Sequence, residues 1–106
     1  MISRDKNEAE ERRLRAKTVG NFLKNLRQKS GLTQQQLASK LSYSTAQFVS
    51  NWERGISLPP LEAVPKLSAL CKTTTRAVVN ALFEYQEESL KLQKKRTLEW
   101  FQKKSR

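Results

Sequence analysis

Apolar positions along this chain recur at helical spacing, and no segment alternates with the period of two that a half-buried strand requires. Val19, Phe22, Leu23 and Leu26 form one stripe, and Gly31 ends it where glycine most easily supplies a left-handed cap. Thr33 predicts the cap of a second helix, with Gln36 placed to close a capping box and Leu37, Ala38 and Leu41 on its buried side. Ser42-Tyr43-Ser44 reads as a polar turn. A third helix is expected from about Ala46 to Arg54, stopping at Gly55, with Val49 and Trp52 facing inward. After the stiff link Leu58-Pro59-Pro60, a fourth helix carries Leu61, Val64, Leu67, Leu70 and Cys71. Pro65 fits it only if the helix begins near Glu62, so that the missing N–H belongs to the first turn. Thr74 caps a fifth helix with Val78, Val79, Leu82 and Phe83 inward. The pattern predicts an all-α domain over residues 18–83.

Two flanks are expected around it. In the arm of residues 1–17, Asp5 and Glu8 have the spacing of a capping box, and Glu8→Arg12 and Glu11→Arg15 sit four apart, predicting a helix over about 7–16. The arm lacks an apolar stripe, so its charges read as a solvated face. Residues 84–106 hold no Gly or Pro and are rich in helix formers. A 3.5-residue seam runs through Val79, Phe83, Gln86, Leu90, Gln93, Thr97 and Trp100, three of them polar, too many for a clear coiled coil. Two readings stay open for this extension. Either it continues from the core with Trp100 and Phe101 folding back, or it is a dimerisation helix.

Charge narrows the class of partner. The 106 residues carry a formal net charge of +11. Residues 18–83 contain eight Lys or Arg against only Glu53 and Glu62, which favours a polyanion. There is no histidine and a single cysteine, Cys71, so no internal disulfide forms and no nucleophile–base pair or metal set can be assembled. Cys71, at an otherwise aliphatic helix position, reads as core. With no apolar run long enough for a bilayer and no apolar signal core at the N-terminus, the expected location is cytoplasmic, at the nucleoid, with no membrane contact, no cofactor and no enzymatic activity.

On the third helix Gln47, Ser50, Asn51 and Arg54 fall on the arc opposite Val49 and Trp52. A major groove admits one helix and displays distinct donors and acceptors for each base pair. Gln and Asn can pair bidentately with adenine, Ser can bond base edges or phosphate, and Arg54 in the last turn reaches towards backbone.

Leu26-Arg27, Gly31-Leu32-Thr33-Gln34, Leu37-Ala38, Val49-Ser50 and Trp52-Glu53-Arg54-Gly55 together resemble the Cro/cI-type (xenobiotic-response-element) helix-turn-helix family from about Val19 to Leu82. The resemblance implies a compact five-helix, lambda-repressor-like domain that binds double-stranded DNA, usually as a homodimer, in transcriptional control. It places Ala46, Gln47, Ser50 and Asn51 at bases and Gln34 at a phosphate, and makes Glu53 structural. Thr33, Gln34, Lys40, Ser44, Thr45 and Arg54 form the expected backbone-contact set. The turn lacks the family's usual glycine and is one residue longer, so either Ser44 or Thr45 caps the third helix. If Ser44 does, Gln47 reaches the third helical position and can bond back to the backbone. Phe48 then either touches a thymine methyl or covers the scaffold. The loop Ile56-Ser57-Leu58 lacks the family's basic residues, leaving Lys24, Arg27, Lys29, Lys40 and the basic tail to hold phosphates.

The sequence therefore predicts a DNA-binding regulator, a repressor from a bacterium or phage. Exposed Leu90, Leu92, Leu98, Trp100 and Phe101 motivate an alternative, an antitoxin-like or co-activator-like module holding a protein partner through residues 84–106. A nucleoid-associated DNA-coating protein is a third reading.

Overall fold

Helix-stop and helix-start signals set most of the boundaries. In a computed structural model, which describes residues 4–105 and their side chains from Lys6 onward, the elements are α1 (Arg4–Arg15), a π-turn (Ala16–Gly20), α2 (Asn21–Lys29), α3 (Gln34–Lys40), α4 (Gln47–Glu53), a 3-10 turn (Leu61–Ala63), α5 (Val64–Leu70) and α6 (Thr75–Lys104). No strand occurs among the described residues. Thr33 and Gln36 form the capping box, each side chain bonding the other's backbone N–H (3.0 and 2.9 Å). The Thr74 hydroxyl accepts from the Ala77 N–H at 3.0 Å. Gly31 takes φ +72° beyond α2.

The arm and the core share one rod. α1 passes through the π-turn into α2 without a break, the Asn21 N–H bonding back to the Ala16 carbonyl. The Thr18 hydroxyl takes up the Leu14 carbonyl at 2.7 Å, the kind of side-chain insertion that accompanies such bulges. Likewise α6 runs unbroken for 30 residues, so the expected boundaries at 17/18 and 83/84 both fall inside helices. Counting α1–α2 as one body, the described chain is five helices with principal extents of 55 × 25 × 22 Å.

Val19, Leu23, Leu37, Ala38, Val49, Trp52, Val64, Leu67, Cys71, Val78, Leu82 and Tyr85 form the core. Four expectations about it are corrected. Leu61 lies in the 3-10 turn and is exposed, because the helix starts at Val64; Pro65 then sits in the first turn, where its missing N–H costs nothing. Phe83 is exposed rather than inward, since α6 buries the face of Val78, Leu82, Tyr85 and Ser89. The tail does not fold back: the helix continues through Trp100, which is partly buried, and Phe101, which is exposed.

The fourth correction concerns the arm, whose charges are a packed interface. Glu11 accepts from the hydroxyls of Tyr85 and Ser89 (both 2.8 Å), and Glu10 accepts from both Nε and Nη2 of Arg96 (3.2 and 2.6 Å). Arg15 donates to the Tyr85 hydroxyl and to Glu8, seven residues back, instead of pairing with Glu11. The helix already includes Arg4 and Asp5, so Asp5 is not ahead of it, and the Asp5 side chain lies outside the described residues. Long polar side chains do here what an apolar stripe does elsewhere, which is why hydrophobic patterning alone misses the contact.

Candidate nucleic-acid interface

α4 is anchored on one side and open on the other. Val49 and Trp52 are 1% and 2% exposed. Beside them the carboxylate of Glu53 is gripped by Arg27 Nε and Nη2 (2.6 and 3.0 Å), while Arg27 Nη1 holds the Leu32 carbonyl at 2.8 Å. This fork joins α2, the start of α3 and α4 in one buried pair, and it raises the Arg27 pKa through the hydrogen bond to Glu53. A Cβ on Gly20 would run into the Glu53 carbonyl, so glycine is what lets the rod cross α4 so closely. Gly55 ends α4 at φ +75°, with the backbone of Arg12 and Ala16 against it, and Arg15 Nε donates to its carbonyl at 2.8 Å.

The register of α4 is also fixed. Ala46 occupies the cap position with no side-chain bond, and the Thr45 hydroxyl accepts from the Gln47 N–H at 3.2 Å. Gln47 is thus the first helical residue, and its amide does not turn back to the backbone. It donates instead to Asn51 Oδ1 at 2.8 Å, one turn along, where Arg54 Nη2 also arrives at 3.3 Å. Gln47 and Arg54 are exposed; Ala46, Ser50 and Asn51 are partly so. The expected base-reading residues therefore share the open side of α4 with a pre-aligned row of amides. Phe48 sits at the rim, 52% exposed, its ring 4.8 Å from that of Tyr43.

Thr33, Lys40, Ser44 and Thr45 of the expected backbone-contact set are exposed. Gln34 is partly buried, its Nε2 donating to Glu53 Oε1 at 3.0 Å, which brings the start of α3 beside the last turn of α4. The longer turn replaces the expected glycine with Ser42 at φ +68°, where the Ser42 and Tyr43 N–H groups close onto the Ser39 and Ala38 carbonyls. Two residues leave the list of phosphate contacts: Arg27 is spent on Glu53, and Arg96 is held by Glu10 and Glu11. Lys24, Lys29 and Lys40 remain exposed.

Reasoning from sequence also missed Arg15 and Gly20 as the residues that set the pose of α4. A glycine inside a helical stripe was the available signal for the second; nothing local marks the first. Cys71 is 3% exposed, and burial pushes its thiol pKa up, so it behaves as core. Among the described residues no group of three or more His, Cys, Asp or Glu is placed to hold a metal, and no helix is long and apolar enough to cross a membrane.

A family model described as a helix-turn-helix domain matches residues 18–82, more than half of the chain. No curated protein and no solved structure gives a match.

Proposed function

Since this chain belongs to the helix-turn-helix domain family, we propose that it is a sequence-specific DNA-binding regulator, a repressor that inserts α4 into the major groove as one half of a two-fold dimer. The observation that carries this reading is the two-sided character of α4. Val49, Trp52 and Glu53 lock one side to the scaffold, and Gln47, Ser50, Asn51 and Arg54 line the other. Phosphate contacts from Lys40, Thr33 and the Ser44-Thr45 turn would set position, and the α4 face would supply sequence choice. A repressor of this kind acts by occupying its site and needs no catalytic step.

Asn51 makes the reading more specific. Its Oδ1 already accepts from Gln47 and Arg54, so bidentate pairing with adenine requires one of these two bonds to be released. Enrichment of bound sequences from random DNA tests the proposal. The expected product is a palindrome with two half-sites about one helical turn apart. Binding should weaken on the order of a thousandfold between 50 and 200 mM salt if the dimer makes about six phosphate contacts. Enrichment of no sequence over background would leave a DNA-coating protein, and no binding at all would overturn the reading.

A further inference from the structure

The boundary between the two sides of α4 is aromatic. At about 100° per residue, Phe48 lies roughly 60° around the helix from Asn51 and roughly 40° from Trp52, between the open row and the buried side. Its ring is 4.8 Å from that of Tyr43, and Tyr43 in turn meets Trp52 edge-on at 5.9 Å, so the aromatics step outward from the core with Phe48 as the last. Tyr43 is itself held, its N–H bonded to the Ala38 carbonyl at 2.9 Å. Covering the scaffold accounts for only one side of the Phe48 ring. It is Tyr43 whose ring meets Trp52, and Phe48 keeps 52% of its surface open.

We infer that Phe48 is a specificity residue of the α4 face, its open ring packing against the 5-methyl group of a thymine. Unmodified base pairs display one apolar group in the major groove, that methyl, and phenylalanine is among the side chains whose apolar contact suits it. The amides beside Phe48 point to the same kind of pair. Gln47 and Asn51 suit adenine, and every A·T pair that offers them an adenine edge carries a thymine methyl in the same groove. Ala46, the small apolar side chain at the start of this face, lies about 160° around the helix from Phe48, so the two address different sides of the groove. A ring already held by Tyr43 loses little rotamer freedom on contact, so burial of its open side translates into affinity. The inference rests on the DNA reading proposed above and adds to it the group that the apolar rim selects.

The test uses the full chain and a site enriched from random DNA, with each thymine replaced in turn by deoxyuridine. That change removes the methyl and keeps every hydrogen-bonding group of the base. For the native chain, replacement at one thymine position should weaken binding about fourfold, the worth of one buried methyl. Phe48→Ala, at an exposed position and with a melting temperature close to native, should bind the thymine site about fourfold or more weakly and no longer distinguish thymine from uracil there. Phe48→Leu, which keeps an apolar side chain, should retain part of the distinction. The salt dependence should be the same for all three proteins, because a methyl contact releases no counterions. An enriched site at which no thymine-to-uracil change matters, or a sensitive thymine that stays equally sensitive in Phe48→Ala, would overturn the inference and leave base reading by Gln47 and Asn51 in place. Absence of any enriched site would overturn both.

Discussion

Around Val49 and Trp52 the helices meet through apolar side chains with one bidentate ion pair among them, whereas α1 and α6 meet largely through Glu10, Glu11, Arg15, Tyr85, Ser89 and Arg96. Both contacts bear on α4: the first fixes its inner face, and the second, through Arg15 and the Gly55 carbonyl, steadies its C-terminal end. Apolar burial gives the first contact its strength, with little dependence on pH. Charge-assisted hydrogen bonds give the second its geometry and make it responsive to pH. The difference identifies the pose of α4 as the product of a rigid socket and a titratable clasp.

The largest effect should come from the socket. Arg27→Ala leaves Glu53 buried with only Gln34 as a partner, and should cost about 3–5 kcal/mol in denaturant unfolding. Next, Glu11→Ala removes the acceptor for two hydroxyls. It should cost about 1–3 kcal/mol, with hydrogen exchange accelerated in α1 while α2–α4 stay protected. Equal loss of protection in both regions would show that the clasp and the socket are one cooperative unit.

The clasp should also open at both extremes of pH. The hydrogen bond from Arg96 holds the Glu10 carboxyl below the ordinary glutamate range, with burial opposing. Its contribution is therefore complete above that range and is lost as pH falls through the depressed value. Burial, aided by the bond to Glu11, raises the Tyr85 pKa. Its contribution is present below the ordinary tyrosine range and disappears as pH rises through the raised value. Protection of the α1 amides, referred to their intrinsic exchange rate at each pH, should accordingly be greatest near neutrality and fall on either side, and a flat profile would count against the titratable clasp. The smallest effect is expected at Ser42, whose left-handed backbone glycine adopts without strain. Ser42→Gly should stabilise by about 0.5–1 kcal/mol by thermal melt.

The same contrast explains what was legible in the sequence. Helical stripes ending at Gly31 and Gly55 and the caps at Thr33 and Thr74 are local signals, and they placed α2–α5, the start of α6 and the open face of α4. The Glu11–Tyr85 and Glu10–Arg96 contacts join residues more than 70 positions apart through polar groups, and a polar residue's partner leaves no periodic trace. For that reason the arm looked solvated in sequence, and Arg27 and the basic tail looked free to hold phosphates. Phe83 was misplaced for a related reason: the inward stripe of α6 follows Val78, Leu82, Tyr85 and Ser89, so a polar residue occupies a buried position and an aromatic one an exposed position.

The most direct test is the affinity ratio for an enriched DNA site over a scrambled one, measured for the native chain, Gln47→Ala, Asn51→Ala and Lys40→Ala. The Gln47 and Asn51 variants should each lose discrimination worth about 1–3 kcal/mol, while Lys40→Ala weakens both DNAs alike and leaves the ratio unchanged. Ratios unaltered by Gln47→Ala and Asn51→Ala, in variants that melt like the native chain, would contradict base reading by α4.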